Sequence, residues 1–220
     1  LPRIVPNEDE EISEELEKAL SKDGVRFLTG ASVTGAAPDE GGSRLTVETS
    51  GGVEEVHCEK VLVAIGVQGN TEDLGLDGIG VATDRGFIQT SDNMSTNVPG
   101  IYAIGDVTGK MLLAHVATAQ GVMAAETIAG MESQPLDYST IPRATYCTPQ
   151  VASFGLTEQQ ARDQGYGIKV GKFPFQASGK AAAIGDTTGI VKLVVEEKYG
   201  EILGAHLIGP DVTELLAELS

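Results

Sequence analysis

Basic residues are scarce in this chain. Its 220 residues carry 15 lysines and arginines against 32 aspartates and glutamates, a formal charge of −17. Such a field repels nucleic-acid phosphates and anionic membrane surfaces, so nucleic-acid binding is not expected and the acids read as a solvated surface. Cysteine is scarcer still. Cys58 and Cys147 stand far apart, with no Cys-x-x-Cys spacing and no disulfide framework, and each reads as a small buried hydrophobe. His57, His115 and His206 are equally scattered, and no metal-ligand spacing occurs. Long apolar runs are missing: none approaches the roughly eighteen residues of a membrane helix, and no basic-then-apolar leader opens the chain. A soluble, cytoplasmic protein without membrane contact is the expectation.

What is present suits one large domain or two modest ones, with 41% hydrophobic residues and 28 glycines. NEDEEISEELEKALSKDG reads as a helix: Asn7 as N-cap with Glu10 three residues on, Ile12, Leu16 and Leu20 on one face, Gly24 as the stop. The acids of its first turn complement the helix dipole. Residues 44–58 alternate through Ser-Gly-Gly and read as a half-exposed hairpin. KVLVAIG (60–66) is continuously apolar, as expected of a parallel strand covered on both faces, and TNVPGIYAIGD leads into a second such strand. A helix of small residues follows from Leu112 to Gly130, and the polar, two-proline stretch 131–142 marks a domain boundary.

The last third has another texture. Thr157-x-x-Gln160 is a capping box opening a short helix. Residues 167–209 form a meander in which Val191, Leu193 and Val195 alternate with Lys192, Val194 and Glu196. DVTELLAELS reads as a closing helix capped by Asp211, with Glu214 at the third position. It has no Gly or Pro stop, and the chain starts at Leu1, so the expectation is a piece of a longer protein.

Chemistry concentrates in IYAIGDVTGKMLLAHVA (101–117). A buried strand ending in Gly-Asp puts a carboxylate at a sheet edge, where it can accept hydrogen bonds from sugar-type hydroxyls; equally, Asp106 can cap a turn. The helix beginning near Leu112 has no Ser, Thr, Asn or Asp to accept from its first N–H groups. A bare helix start of that kind suits an electron-rich group.

The string TNVPGIYAIGDVTGKMLLAHVATAQGVMAAETIAG resembles the second flavin-contacting segment of the pyridine nucleotide-disulfide oxidoreductases, most closely their dihydrolipoamide dehydrogenase branch. RIVPNEDEEISEELEKAL resembles that family's nicotinamide domain after its ribose-binding acid, VLVAIGVQGNTEDLGL its Gly-Arg-x-Pro-Asn-Thr segment, and IPRATYCTPQVASFGLTEQQAR the start of its dimerisation domain. Two departures stand out. Val67 and Gly69 replace the usual Arg and Pro, and Pro149 is followed by Gln150 where Glu is usual.

The resemblance implies mixed α/β and α+β architecture: the end of a Rossmann-like NAD domain (1–69), the C-terminal part of the FAD-binding region (70–140), and an α+β dimerisation domain with an antiparallel sheet (141–220). It implies FAD and NAD as cofactors. Asp106 matches the acid that bonds the ribityl chain, Leu113, Ala114 and His115 match the segment meeting the flavin's pyrimidine edge, and Gly66 matches a glycine lining the nicotinamide site. His115 is not the family's catalytic base. The resemblance further implies a homodimer serving a lipoylated subunit of a 2-oxo acid dehydrogenase or glycine cleavage complex. No Gly-x-Gly-x-x-Gly, no Cys-x4-Cys redox pair and no His-Pro-His stretch occurs. No catalytic residue is therefore assigned, and these residues alone are expected to be inactive. Within the class a mercuric or glutathione reductase shares the layout; outside it, a non-catalytic dimerisation or binding module is the alternative.

Overall fold

A computed structural model describes residues 1–219. In chain order its elements are α1 (Glu10–Lys22), β1 (Ser32–Asp39), β2 (Gly42–Thr49), β3 (Gly52–Cys58), α2 (Leu76–Ile79), β4 (Thr83–Asp84), β5 (Phe87–Ile88), α3 (Ala114–Ile128), β6 (Arg143–Thr145), β7 (Gln150–Gly155), α4 (Glu158–Asp163), β8 (Ile168–Pro174), α5 (Gly179–Ile184), β9 (Ile190–Glu196), β10 (Ile202–Gly209) and α6 (Val212–Leu215). They fall into two compact units. One comprises residues 1–62 together with the chain from 139 onward, and the other residues 63–138.

In the first unit, β1, β2 and β3 form an antiparallel meander that contains the expected hairpin, with Thr49 opposite Gly52 at its turn. A second antiparallel sheet has the order β6-β7-β10-β9-β8. Both its faces are covered. Ile12 and Leu16 of α1 pack with Val151, Ile190 and Ile208 on one side. On the other, Val212 and Leu216 join Ala152, Phe154, Ala205, Leu207, Val191 and Leu193. Each large side chain so buried contributes about 1.5–3 kcal/mol. This double cover corrects the alternation read for β9: Lys192 and Val194 are buried, whereas Val191 and Leu193 are only half-buried.

Direct cross-strand partners share a face, and one row runs across all five strands of this sheet: Arg143 opposite Ser153, then His206, Lys192 and Lys172. The acidic start of α1 meets the lysine end of that row. Lys192 Nζ lies 2.8 Å from Asp9, 2.9 Å from Glu158 and 3.2 Å from Glu11, and Lys172 Nζ lies 2.7 Å from Glu11. Asp9 also accepts from the Glu11 and Glu158 N–H groups, at 3.1 Å each. It is Asp9, not Asn7, that caps α1, because its carboxylate is fixed by partners on three sides. The capping box of Thr157 and Gln160 is present as expected.

Burial pushes the Asp9 carboxyl up, but the Lys192 ammonium and the Glu158 N–H outweigh it and hold the group below the usual carboxylate range. Glu158 is lowered by its bonds from Arg162 and Lys192. Burial lowers Lys192, yet its carboxylate partners raise it above the ordinary lysine value. His206 is fully buried, with Nε2 2.9 Å from the Leu156 carbonyl. That contact puts the ring proton on Nε2. Burial depresses the proton affinity of His206, aided by Arg143 and opposed by the Leu156 carbonyl, Asp9 and Glu8.

The chain's last helix also differs from expectation. Asp211 has a left-handed backbone (φ 53°) and its side chain caps nothing; its carbonyl accepts instead from Glu214 and Leu215. The α-helix ends at Leu215, a 3-10 turn covers Leu216–Glu218, and Ser220 lies outside the described residues.

The second unit is poor in regular structure. Val81, Ile88 and Ala103 form one small core, and Met94, Met123 and Ala124 another. The apolar run 60–66 is not a strand. Leu62 and Ile65 are 90% and 95% exposed. A parallel strand requires neighbours to complete its ladder and cover both faces, and among the described residues nothing pairs with this run. Residues 101–105 likewise lack strand structure beyond a bridge from Tyr102 to Ser95. Sheet pairing among the described residues is antiparallel throughout. No described helix is long and apolar enough to cross a membrane.

Candidate functional site

Asp106 sits in a 3-10 turn, Gly105–Thr108, with its side chain exposed. Thr108 Oγ1 donates to the Gly105 carbonyl at 2.8 Å, and the Gly109 N–H to the Asp106 carbonyl at 3.0 Å, so the turn closes on itself. At Gly109 (φ 66°) a Cβ would approach the Phe87 ring to 2.7 Å, which makes glycine necessary both for the backbone and for the close packing. The turn-forming reading of Asp106 is thus accounted for by backbone atoms, and its carboxylate remains outside the turn's own hydrogen bonds.

Asp106, Val107 and Leu112 wall a cleft of about 800 Å³ whose other side is Gly66, Val67, Gln68, Gly69 and Asn70. That second wall is anchored to the β4–β5 turn through Thr71 Oγ1, 3.1 Å from the Gly86 carbonyl. Gly69 is forced by the same contact: a Cβ there would stand 2.1 Å from the Gly86 oxygen. Gly66 has φ 117°, and a Cβ there would meet nothing, so only its backbone conformation selects glycine.

Next to Leu112, α3 begins at Ala114 with Leu113 as an extended N-cap that offers no side-chain bond. Ala114 and His115 occupy its exposed first turn, and the first helical bond runs from the Ala117 N–H to the Leu113 carbonyl. An apolar cap leaves the dipole of a 15-residue helix uncompensated by any acid in its first turn. Gly66, Asp106 and Leu112, the residue before the N-cap of α3, therefore line one cleft. Leu113, Ala114 and His115 do not themselves line the cleft.

One residue of this region escaped sequence reasoning. Gln120 of α3 is fully buried, its Oε1 accepts from the Gly105 N–H at 2.6 Å, and its Nε2 donates to Tyr138 Oη at 2.9 Å. The signal available for it was a long polar side chain in an alanine-rich helix. The two thiols lie elsewhere: Cys58 and Cys147 are free and half-buried, and burial raises the Cys147 thiol above its ordinary value, which disfavours the reactive thiolate.

The sequence model of the family described as pyridine nucleotide-disulphide oxidoreductase matches residues 1–121, and that of the family's dimerisation domain matches 141–220. The chain belongs to the pyridine nucleotide-disulphide oxidoreductase family. Curated relatives include dihydrolipoyl dehydrogenases of Mycobacterium bovis, 56% identical over all of this chain and 48% of the relative, and of Mycobacterium leprae, 54% identical with the same coverage. Among solved structures, LpdA from Mycobacterium tuberculosis superposes with a TM-score of 0.87 at 25% identity, over 97% of this chain and 46% of that one. The HOCl-induced flavoprotein disulfide reductase RclA from Escherichia coli gives 0.87 at 27% identity, over 98% and 49%. The chain spans about half the length of the curated relatives it matches. The mixed helix and sheet architecture with an antiparallel dimerisation-domain sheet agrees with this membership.

Proposed function

We propose that these residues are part of a flavoprotein dihydrolipoyl dehydrogenase, which reoxidises dihydrolipoamide with NAD+ through FAD and a redox-active disulfide. The observation that carries the reading is the shared cleft of Asp106 and Gly66 beside the uncapped start of α3; the identity to dihydrolipoyl dehydrogenases supports it. The residues fit a flavin. Asp106 would accept hydrogen bonds from ribityl hydroxyls. Leu113, Ala114 and His115 would offer the helix start to the pyrimidine edge, where a positive dipole end stabilises negative charge. Gly66 would line the path of the nicotinamide. Bound FAD supplies the two-electron carrier between a dithiol and a pyridine nucleotide.

Residues 1–69 belong in this reading to the NAD domain, 70–140 to the FAD-binding region and 141–220 to the dimerisation domain. The intact protein is a cytoplasmic homodimer that acts on a lipoylated subunit of a 2-oxo acid dehydrogenase or glycine cleavage complex. The 220 residues alone, without Cys-x4-Cys, are inactive. The test is NADH formation from dihydrolipoamide and NAD+. Turnover by the intact polypeptide and none by residues 1–220 supports the reading; turnover by residues 1–220 alone refutes it.

A further inference from the structure

The acid of the cleft is held in place by a side chain that does not line the cleft. Asp106 follows Gly105, whose two backbone groups are both engaged. Its carbonyl accepts from Thr108 within the turn, and its buried N–H donates to Gln120 Oε1 at 2.6 Å, across 15 residues of sequence. Gln120 lies in the second turn of α3, the helix whose N-cap directly follows Leu112 of the same cleft. One side chain therefore ties the turn that carries the carboxylate to the helix that carries the dipole. Its own orientation is fixed as well. The amide Nε2 is spent on Tyr138 Oη, and the Tyr138 ring is faced by the Lys110 ammonium at 6.0 Å, whose Nζ also donates to the Ser91 carbonyl at 2.9 Å. Exchanging Oε1 with Nε2 would turn an amide N–H against the buried Gly105 N–H, whereas the Tyr138 hydroxyl can donate or accept, so the Gly105 contact fixes the orientation.

We propose that Gln120 is the positioning residue for Asp106: by holding the Gly105 N–H it sets where the carboxylate stands relative to the start of α3, and hence how tightly a flavin is held. The inference rests on the flavin reading of the cleft, and it adds a determinant of that site located one layer behind the surface. Substitution by leucine keeps the apolar volume but leaves the buried Gly105 N–H without an acceptor, a state the turn escapes by opening. Substitution by glutamate keeps an acceptor at the same reach, and Tyr138 Oη then donates to it instead.

The experiment uses the intact polypeptide with wild-type, Gln120→Leu and Gln120→Glu sequences, and reads amide hydrogen exchange together with the FAD dissociation constant from fluorescence titration. Gln120→Leu is expected to speed exchange at Gly105 and Asp106 by at least about tenfold and to weaken FAD by about tenfold, which is about 1.4 kcal/mol. Exchange along α3 from Ala117 onward stays unchanged. Gln120→Glu is expected to restore both quantities to within about threefold of wild type. Wild-type exchange at Gly105 in the leucine variant, faster exchange with unaltered FAD affinity, or failure of the glutamate variant to rescue would each overturn the proposal. A wild-type polypeptide that binds no FAD refutes the flavin reading instead, and the exchange data then decide the positioning role alone.

Discussion

Replacing Lys192 by methionine removes a buried cation while nearly conserving volume, so the effect is electrostatic and not a cavity. Lys192 is only 4% exposed, and three carboxylates converge on its Nζ within 3.2 Å. Removing one partner of a buried ion pair costs about 3–5 kcal/mol. The lower end applies here, about 3 kcal/mol. Asp9 keeps its two backbone N–H donors, and the Glu11 and Glu158 side chains, at 30% and 29% exposure, regain water. The pH dependence follows from the direction of the shifts. In the native chain Asp9 and Glu158 have lowered folded-state values, so their contribution is present above the ordinary carboxylate range, about pH 4, and is lost as pH falls through those lowered values. In Lys192→Met the buried Asp9 has no cation to lower it, and its folded value rises. The stability gap between the two proteins therefore begins to close as pH falls through the variant's raised Asp9 value, above the ordinary carboxylate range, and goes on closing down to the lowered native values. Urea unfolding followed by far-UV circular dichroism at pH 7.5, 5 and 3.5 measures the gap, with unchanged slope as the check for two-state behaviour. A gap below about 1 kcal/mol at pH 7.5, or one of equal size at all three pH values, refutes the reasoning.

Three further outcomes are expected. His206 binds its proton less readily in the fold than in the unfolded chain, so acidification from pH 7 through about 6.5 favours unfolding; a melting-temperature series in which His206→Gln retains the full wild-type slope over pH 7 to 5 contradicts this. Thr157→Ala removes one half of the capping box of α4 and costs about 0.5–2 kcal/mol in urea unfolding, whereas no loss would show the cap to be energetically idle. Gly69→Ala forces a methyl group against the Gly86 carbonyl and costs about 1–3 kcal/mol, read as a lowered melting temperature; a neutral result means that the loop from Gly66 to Thr71 relaxes away from the β4–β5 turn.

Several local signals were legible because the responsible atoms are close in sequence, although the Asp211 cap was not among them. Ile12, Leu16 and Leu20 mark the packed stripe of α1 by spacing alone, and Thr157 with Gln160 mark the start of α4, because a capping box is completed within four residues. The hairpin at 44–58 was equally readable from alternation and its Ser-Gly-Gly turn. Long-range partners broke several other readings. Asn7 lost the cap of α1 to Asp9 because Lys192, 183 residues away, fixes the Asp9 carboxylate. Lys192 looked solvent-facing because a strand covered on both faces buries a polar residue as readily as an apolar one once acids from another element meet it. The run 60–66 has the composition of a covered strand, and composition does not report whether neighbours are there to cover it. At the cleft, Asp106 was picked out as an acid ending an apolar run and by family resemblance, and Gly66 by resemblance alone, while Gln120 was hidden: a glutamine in an alanine-rich helix reads the same whether it faces water or a buried N–H.

The central claim is that Asp106 grips a flavin, and FAD content after purification of the intact polypeptide with Asp106→Leu measures it directly. The residue is exposed, so the substitution leaves the fold intact by circular dichroism while deleting the acceptor for the ribityl hydroxyls. The account predicts at least about tenfold weaker FAD binding than wild type, the loss of roughly one charge-assisted hydrogen bond. Equal flavin content and equal affinity in the two proteins would contradict it.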